Sequence, residues 1–395
     1  MWQDEGMSCQ KTVFAQLMEQ IHPEQFRRCV CRYGAEDKAR KFSHYDQFLA
    51  MAYAQLSSRE SLSDIELSLQ SHREKLYRAG FHSSVHHSTL SDANNSRDWR
   101  IYEDLAKILI PKAQRAYAGQ TLCGELKNIA YALDSTTIDL CLSLFPWARF
   151  RKTKAAVKLH TLINLRGLIP VFISITDGKR SDVSILDDLV FEPGSFYVMD
   201  RGYLDFKRLH KINLSASYFV IRGRAKLKFT KLKSLPVKKE EGIISDKIVR
   251  PALQKSFERY PDRLRRIHFF DDQTQKHLVF LSNNFDLPAT TIAQLYKYRW
   301  RIEIFFKWIK QNLHIKHFFG NSINAVKTQI WISICVFLIL ALLKKQLLLP
   351  LSPSQILQIL STHLFDQVPI QELLTNTSRQ LQENEFYNQL SLNGF

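Results

Sequence analysis

Three acidic residues stand out by where they fall in the hydropathy pattern. Asp134 and Asp200 each follow a short apolar run, Ile129–Leu133 and Phe196–Met199, that reads as a β-strand. Carboxylates at the ends of strands in one sheet can converge on one point, and hard divalent cations take oxygen ligands of that kind. An Asp at a strand end also serves as a turn residue or helix cap, so each position is weak when taken singly. The third acid, Glu303, lies in YKYRWRIEIFFKWIK, residues Tyr296 to Lys310. At about 100° per residue on a single helix, Tyr296, Arg299, Glu303 and Lys310 fall within about 60° of one another. Ile302, Ile304, Phe305, Phe306, Trp308 and Ile309 take the broad opposite side. The segment therefore predicts a helix that buries an aromatic face and presents a stripe of one acid, two cations and a phenol. Arg301 falls on the apolar side without an evident reason. An ordinary amphipathic helix with a solvated face would give the same wheel.

Those residues need a scaffold, and the periodicity supplies one. Residues 1 to about 115 read as short helices: Thr12–Ile21, Tyr45–Leu56, Ser61–Leu69, a start at Ser88, and Asp98–Ile110, which Pro111 is expected to end. Such a region suits a helix-turn-helix-like DNA-binding unit, or equally a bundle used for dimerisation. From about 127 to 221 the pattern turns to strands. Ile129–Leu133, Val157–Leu165 and Leu168–Thr176 come first, with a hairpin turn at Arg166-Gly167. A helix over Asp182–Val190, a strand at Phe196–Met199, a helix over Leu204–Ile212 and a strand at Ser217–Ile221 complete the series. That element order is the order of an RNase H-like α/β sheet, an analogy of fold from which function does not follow. Residues 222–290 read as a β-rich insertion whose Arg222, Arg224, Lys226 and Lys228 alternate onto one strand face, suited to phosphates or simply solvated. Residues 291–345 return to helix, and 346–395 form a helical tail that could serve dimerisation. Internal repeats and low-complexity tracts are missing.

The charge balance agrees with a polyanionic partner. Lys and Arg number 55 against 38 Asp and Glu in 395 residues, a formal net charge of +17. A surplus of that size favours nucleic acid or an anionic membrane surface. A membrane span is not expected, because the apolar run Ile330–Leu343 covers only 14 residues before Lys344 and Lys345, and a span needs roughly 20. Cys9, Cys29, Cys31, Cys123, Cys141 and Cys335 lack zinc-ligand spacing and read as free thiols of a reducing cytosol. The N-terminus carries Asp4 and Glu5 where a signal peptide would be basic. His160, alternating with Lys158, reads as a structural histidine, and His86-His87 as a ligand pair without partners.

Tyr-x-x-Arg-x-x-x-Glu-x6-Lys, filled by Tyr296, Arg299, Glu303 and Lys310, resembles the signature of the insertion sequence four family of bacterial transposases. Asp134 in ALDSTTIDL and Asp200 in YVMDRGYLDF are similar to that family's first and second catalytic aspartates, and residues 157–183 to the segment between them. The stretch around Phe48–Leu69 resembles a helical domain that precedes the core in one branch, so the likeness runs to about Leu343. It implies a DDE transposase of the bacterial cytoplasm, associated with the nucleoid when bound to DNA, that cuts and pastes double-stranded DNA at terminal inverted repeats. Two Mg²⁺ or Mn²⁺ ions would be held by Asp134, Asp200 and Glu303. Tyr296, Arg299 and Lys310 would grip phosphates, and these neighbouring cations would favour ionised Glu303. Relatives that cut through a hairpin stack a flipped base on an aromatic of the insertion. This insertion has no Trp and offers Tyr260, Phe269 and Phe270. Synapsis of two ends implies at least a homodimer. The competing expectations are a catalytically dead end-binding repressor and a non-enzymatic basic DNA-binding protein.

Overall fold

The computed structural model describes residues 11–34, 41–122, 126–151, 154–224, 227–312 and 318–380. The chain divides into two compact units, residues 1–117 with 307–395 and residues 118–306.

The first unit is helical. It contains α1 (Val13–Met18), α2 (Pro23–Arg32), α3 (His44–Leu56), α4 (Leu62–Ser71), α5 (His87–Ser96) and α6 (Arg100–Tyr117). Side-chain hydroxyls cap the starts of α1, α3 and α4. At α3, Ser43 and Asp46 form a reciprocal capping box. Helix α6 does not stop at Pro111. The ring removes one backbone donor, but the buried stripe Leu109, Ile110, Ala113 and Tyr117 continues on both sides and keeps the helix going.

The apolar run near the C-terminus belongs to a helix of 24 residues, Ile323–Gln346, not 14. By length and hydropathy that helix could cross a membrane, so the length criterion fails as an exclusion. What distinguishes it is burial: every residue from Thr328 to Leu343 is enclosed by the unit's own helices, including α3 and α6.

The second unit is built on a sheet. Its strands are β1 (Ala130–Leu140), β2 (Arg149–Arg151), β3 (Lys154–Asn164), β4 (Ile169–Asp177), β5 (Phe196–Met199), β6 (Tyr218–Arg222), β7 (Phe229–Leu235), β8 (Ile243–Pro251), β9 (Leu264–Asp271) and β10 (Lys276–Ser282). The order is β2-β3-β1-β5-β6-β10-β9-β8-β7, with β4 also on β3. Strands β1, β3 and β4 form an antiparallel meander, and β5 and β6 then add in parallel. That is the RNase H-like arrangement the element order predicted. The β3–β4 turn places Gly167 at φ 75° and Leu168 at φ 57°, a left-handed pair that a hairpin of this twist requires. Residues 182–187 form a 3₁₀ turn where a longer helix was expected.

The β-rich insertion is not a separate layer. Its strand β10 pairs antiparallel with β6, so the meander β7–β10 extends the same sheet. Within it Arg265 forks onto Asp246 at 2.6 and 3.0 Å, both side chains almost fully buried. Buried partners of opposite charge hold each other's desolvation cost in check. Under the sheet, helix α7 (Phe206–Leu214) contributes Phe206, Leu209 and Ile212 to a core with Tyr197, Met199, Phe219 and Leu281. A short helix α8 (Gln254–Arg259) lies between β8 and β9, and α9 (Ala289–Tyr298) follows β10.

Candidate active site

Asp134 is not at a strand end. Strand β1 runs six residues past it, to Leu140. The end that matters is that of its neighbour. β1 and β5 pair in parallel from Ala130↔Phe196 to Leu133↔Met199, and β5 stops there. Residues Ala130 to Leu133 are buried, while Asp134 to Thr137, beyond the end of β5, are half-buried. The register therefore sets Asp134, still in β1, and Asp200, the first residue after β5, one step past the last paired residues.

Asp200 is fixed by the turn it starts. It caps the 3₁₀ turn Arg201–Tyr203, its Oδ1 accepting the Gly202 N–H at 2.6 Å. A Cβ on Gly202 would come within 2.8 Å of that same oxygen. Asp134 accepts from the Ser135 N–H at Oδ1, at 2.8 Å. A ring of polar contacts continues outward: the Ser135 hydroxyl donates to Asp182 at 2.6 Å, and Lys158 Nζ lies 3.1 Å from that carboxylate. His160 is fully buried, with Nε2 3.1 Å from the Thr176 hydroxyl; burial pushes its pKa down to about 4, which keeps the ring neutral.

The segment carrying Glu303 is not one helix. Helix α9 ends at Tyr298 and α10 (Arg301–Asn312) begins after two turn residues. Across the junction the N–H groups of Arg299, Trp300, Ile302 and Glu303 donate to the carbonyls of Tyr296, Lys297, Arg299 and Trp300, the three-residue spacing of a 3₁₀ turn. Ile302, Phe305, Phe306, Trp308 and Ile309 are buried as expected, but Ile304 is 60% exposed. Arg301, unexplained by the wheel, donates Nη1 to the Leu165 carbonyl at 3.1 Å and so ties α10 to the β3–β4 turn.

Arg299 joins the pieces. Nη1 donates to Asp134 Oδ2 at 2.8 Å and Nη2 to Glu303 Oε1 at 3.1 Å. The residue is only 7% exposed, and its guanidinium carbon stands 5.8 Å from the Tyr296 ring centre and 5.6 Å from that of Trp300. Tyr296 is itself buried, its ring tilted against that of Phe280 with centres 4.7 Å apart. Desolvation raises the Asp134 carboxyl to about 6, with the Ser135 N–H and Arg299 pulling it down and Asp200 and Glu303 pushing it up. Asp200 and Glu303 are thus close enough to act on Asp134. Lys310, half-buried, follows Glu303 by seven residues on α10.

Among the described residues, no three His, Cys, Asp or Glu side chains as placed converge closely enough to hold a metal ion. The donor chemistry nonetheless fits divalent cations. All three acids offer hard oxygens, and a positive group already stands between two of them.

The alternating basic strand does not form. Arg222 is the last residue of β6, Arg224 lies in the following loop, Lys228 is exposed ahead of β7, and Lys226 lies outside the described residues. Instead Arg222 and Arg224 line a cavity of about 510 Å³ together with Asp200, Arg201 and His277. Arg201 and His277 were not singled out from the sequence; Arg201's place directly after Asp200 was the available signal. Of the insertion's aromatics, Tyr260 and Phe269 are buried, and Phe270 is half-buried with its ring 4.9 Å from His277. His86 and His87, taken as unpartnered, both bond Glu66, at 3.0 and 2.5 Å.

The transposase DDE domain family matches residues 126–339, a span that includes all three acids. A domain of unknown function, DUF4372, matches residues 9–82. The protein y4zB of Sinorhizobium fredii, which bears a transposase name, is 31% identical over 257 residues, 64% of this chain and 69% of its own. A protein of Geobacillus stearothermophilus, named for the transposase of insertion sequence element IS5377, is 27% identical over 263 residues, 66% of this chain and 68% of its own. A piggyBac transposase synaptic complex with hairpin DNA covers 97% of this chain and 81% of its own at 9% identity, with a TM-score of 0.42.

Two outcomes follow for the carboxylates. Gly202→Ala should leave the melting temperature nearly unchanged, because a side-chain tip can move aside, yet it should displace the Asp200 carboxylate; a crystal structure of the variant with Asp200 Oδ1 unmoved would contradict this. Asp134 titrates higher folded than unfolded, so its contribution to stability is present below about pH 4 and lost as pH rises through about 6. Without added metal, the stability of Asp134→Asn relative to the parent should therefore climb by up to about 3 kcal/mol over that window. A difference that stays flat with pH in urea denaturation would refute the raised value.

Proposed function

The chain belongs to the DDE-domain transposases, metal-dependent enzymes that cleave DNA and transfer strands, and from that premise we propose that Asp134, Asp200 and Glu303 form its metal-holding set. The observation that carries the assignment is the register of β1 and β5, which aligns Asp134 with Asp200, together with the Arg299 fork that reaches Glu303. When bound, paired Mg²⁺ or Mn²⁺ ions would lower the pKa of an attacking water or 3′-hydroxyl and offset charge on the leaving oxygen. Asp134 within β1 and Asp200 directly after β5 would fix where the scissile phosphate stands. Glu303 closes the set from α10.

The chain's own cations orient the DNA. Arg299 presents a planar fork that matches two phosphate oxygens, and Lys310 a point charge. Tyr296 is enclosed, so its part is to support the guanidinium with its ring. Arg222 and Arg224, with Arg201, line the cavity next to Asp200 and suit a phosphate of the same strand. Lys226 and Lys228 extend that basic character along the chain. The substrate read here is double-stranded DNA at the element's own terminal inverted repeats, excised and inserted by cut-and-paste. Two ends must be held at once, which favours a homodimer. The buried state of the 24-residue helix supports a protein that acts on DNA in the cytoplasm without spanning a membrane.

Incubation with DNA carrying the element's ends and Mg²⁺ or Mn²⁺ tests the assignment. Asp134→Asn, Asp200→Asn and Glu303→Gln should each lower cleavage by about 10³-fold or more, the effect of losing several kcal/mol of charge stabilisation. They should leave end binding in a gel shift largely intact. Binding with no nicking by the parent protein would favour an end-binding repressor, and cleavage untouched by the substitutions would move the chemistry elsewhere.

A further inference from the structure

Arg299 sits where a phosphate-gripping residue would not be expected to rest. It is buried, and both arms of its fork are spent on carboxylate oxygens, Asp134 Oδ2 and Glu303 Oε1. Arg299 lies in the 3₁₀ junction between α9 and α10, four residues before Glu303, with the Tyr296 and Trp300 rings beside its guanidinium. An oxygen that accepts a guanidinium N–H at 2.8 Å has that lone-pair direction occupied and its charge already offset. A divalent cation approaching the same oxygens meets a positive group in the position it needs. The two cations exclude each other.

We propose that Arg299 is an internal counter-ion that gates metal loading: it holds Asp134 and Glu303 together until a DNA phosphate draws it away. The inference rests on the assignment of Asp134, Asp200 and Glu303 as the metal-holding set. Each ligand then favours the other. A phosphate that engages the fork frees two carboxylate oxygens for metal, and a metal that takes those oxygens frees the fork for phosphate. Coupling of this kind is reciprocal, and couplings between sites commonly amount to about 5- to 150-fold in affinity. Removing the internal cation should abolish the competition and with it the dependence on DNA. Lysine, with one ammonium and no fork, cannot bridge both acids and should fall between.

Mn²⁺ titration calorimetry on the full chain tests this, with and without a double-stranded oligonucleotide. Arg299→Gln should bind Mn²⁺ roughly tenfold more tightly than the parent in the absence of DNA, and Arg299→Lys should be intermediate. The oligonucleotide should tighten Mn²⁺ binding to the parent and leave Arg299→Gln nearly unchanged. Circular dichroism and melting establish that each variant is folded; should Arg299→Gln unfold, Arg299→Lys alone must still bind more tightly than the parent. Equal or weaker affinity in the folded variants overturns the gate. Asp134→Asn separates the two levels of failure. If it abolishes Mn²⁺ binding while the Arg299 variants match the parent, the gate falls and the metal assignment stands; if it leaves Mn²⁺ binding intact, both fall.

Discussion

The parallel pairing of β1 with β5 is the constraint on which the rest of the site depends. Side chains alternate along a strand, and a slip of one residue would turn every one of them to the opposite face. Tyr131, Leu133, Tyr197 and Met199 belong to the same core cluster on one side of the sheet, so burial of these residues specifies the register. Once they are packed, Asp134 and Asp200 have no freedom to be apart along the strands. Apolar packing, which has no chemistry of its own, thereby positions the two acids. The difference in strand length does the remainder, since β5 ends at Met199 while β1 continues and leaves the open notch.

Bringing acids together at a partly dry sheet edge is unfavourable, and the chain answers it with local donors and a cation. Ser135 and Gly202 backbone N–H groups bind one oxygen each of Asp134 and Asp200. Arg299 spans to Glu303. Burial still dominates at Asp134, whose carboxyl remains well above the usual carboxylate range. Such tension is common where function, not stability, selects the residues. The insertion meets the same problem differently: Arg265 and Asp246 neutralise each other out of solvent and contribute to the sheet that carries the site.

Much of this was legible in the sequence, and the parts that were not have identifiable causes. Short apolar runs before Asp134 and Asp200 revealed the strands, and the spacing from Tyr296 to Lys310 revealed the polar stripe. The continuation of β1 through Ser-Thr-Thr was hidden because residues beyond a neighbouring strand's end need not be apolar. The 3₁₀ junction at Arg299-Trp300 was hidden because no Gly or Pro marks it; the three-residue spacing of the backbone hydrogen bonds is what shows it. Arg222 to Lys228 alternate as a strand would, yet Gly223 sits among them at the end of β6, and the chain leaves the sheet. The membrane question was answered from an apolar run shorter than the helix containing it, since polar residues such as Thr328 and Gln329 are also enclosed. Periodicity reports which residues are buried, and backbone junctions and strand lengths depend on neighbours that a single segment does not contain.

Anomalous diffraction from crystals grown with Mn²⁺ and double-stranded DNA addresses the central claim most directly. The account predicts manganese peaks bounded by the oxygens of Asp134, Asp200 and Glu303, with the Arg299 guanidinium moved from those oxygens onto a phosphate. Manganese bound away from Asp134 and Asp200, in crystals where DNA occupies the protein, would contradict it.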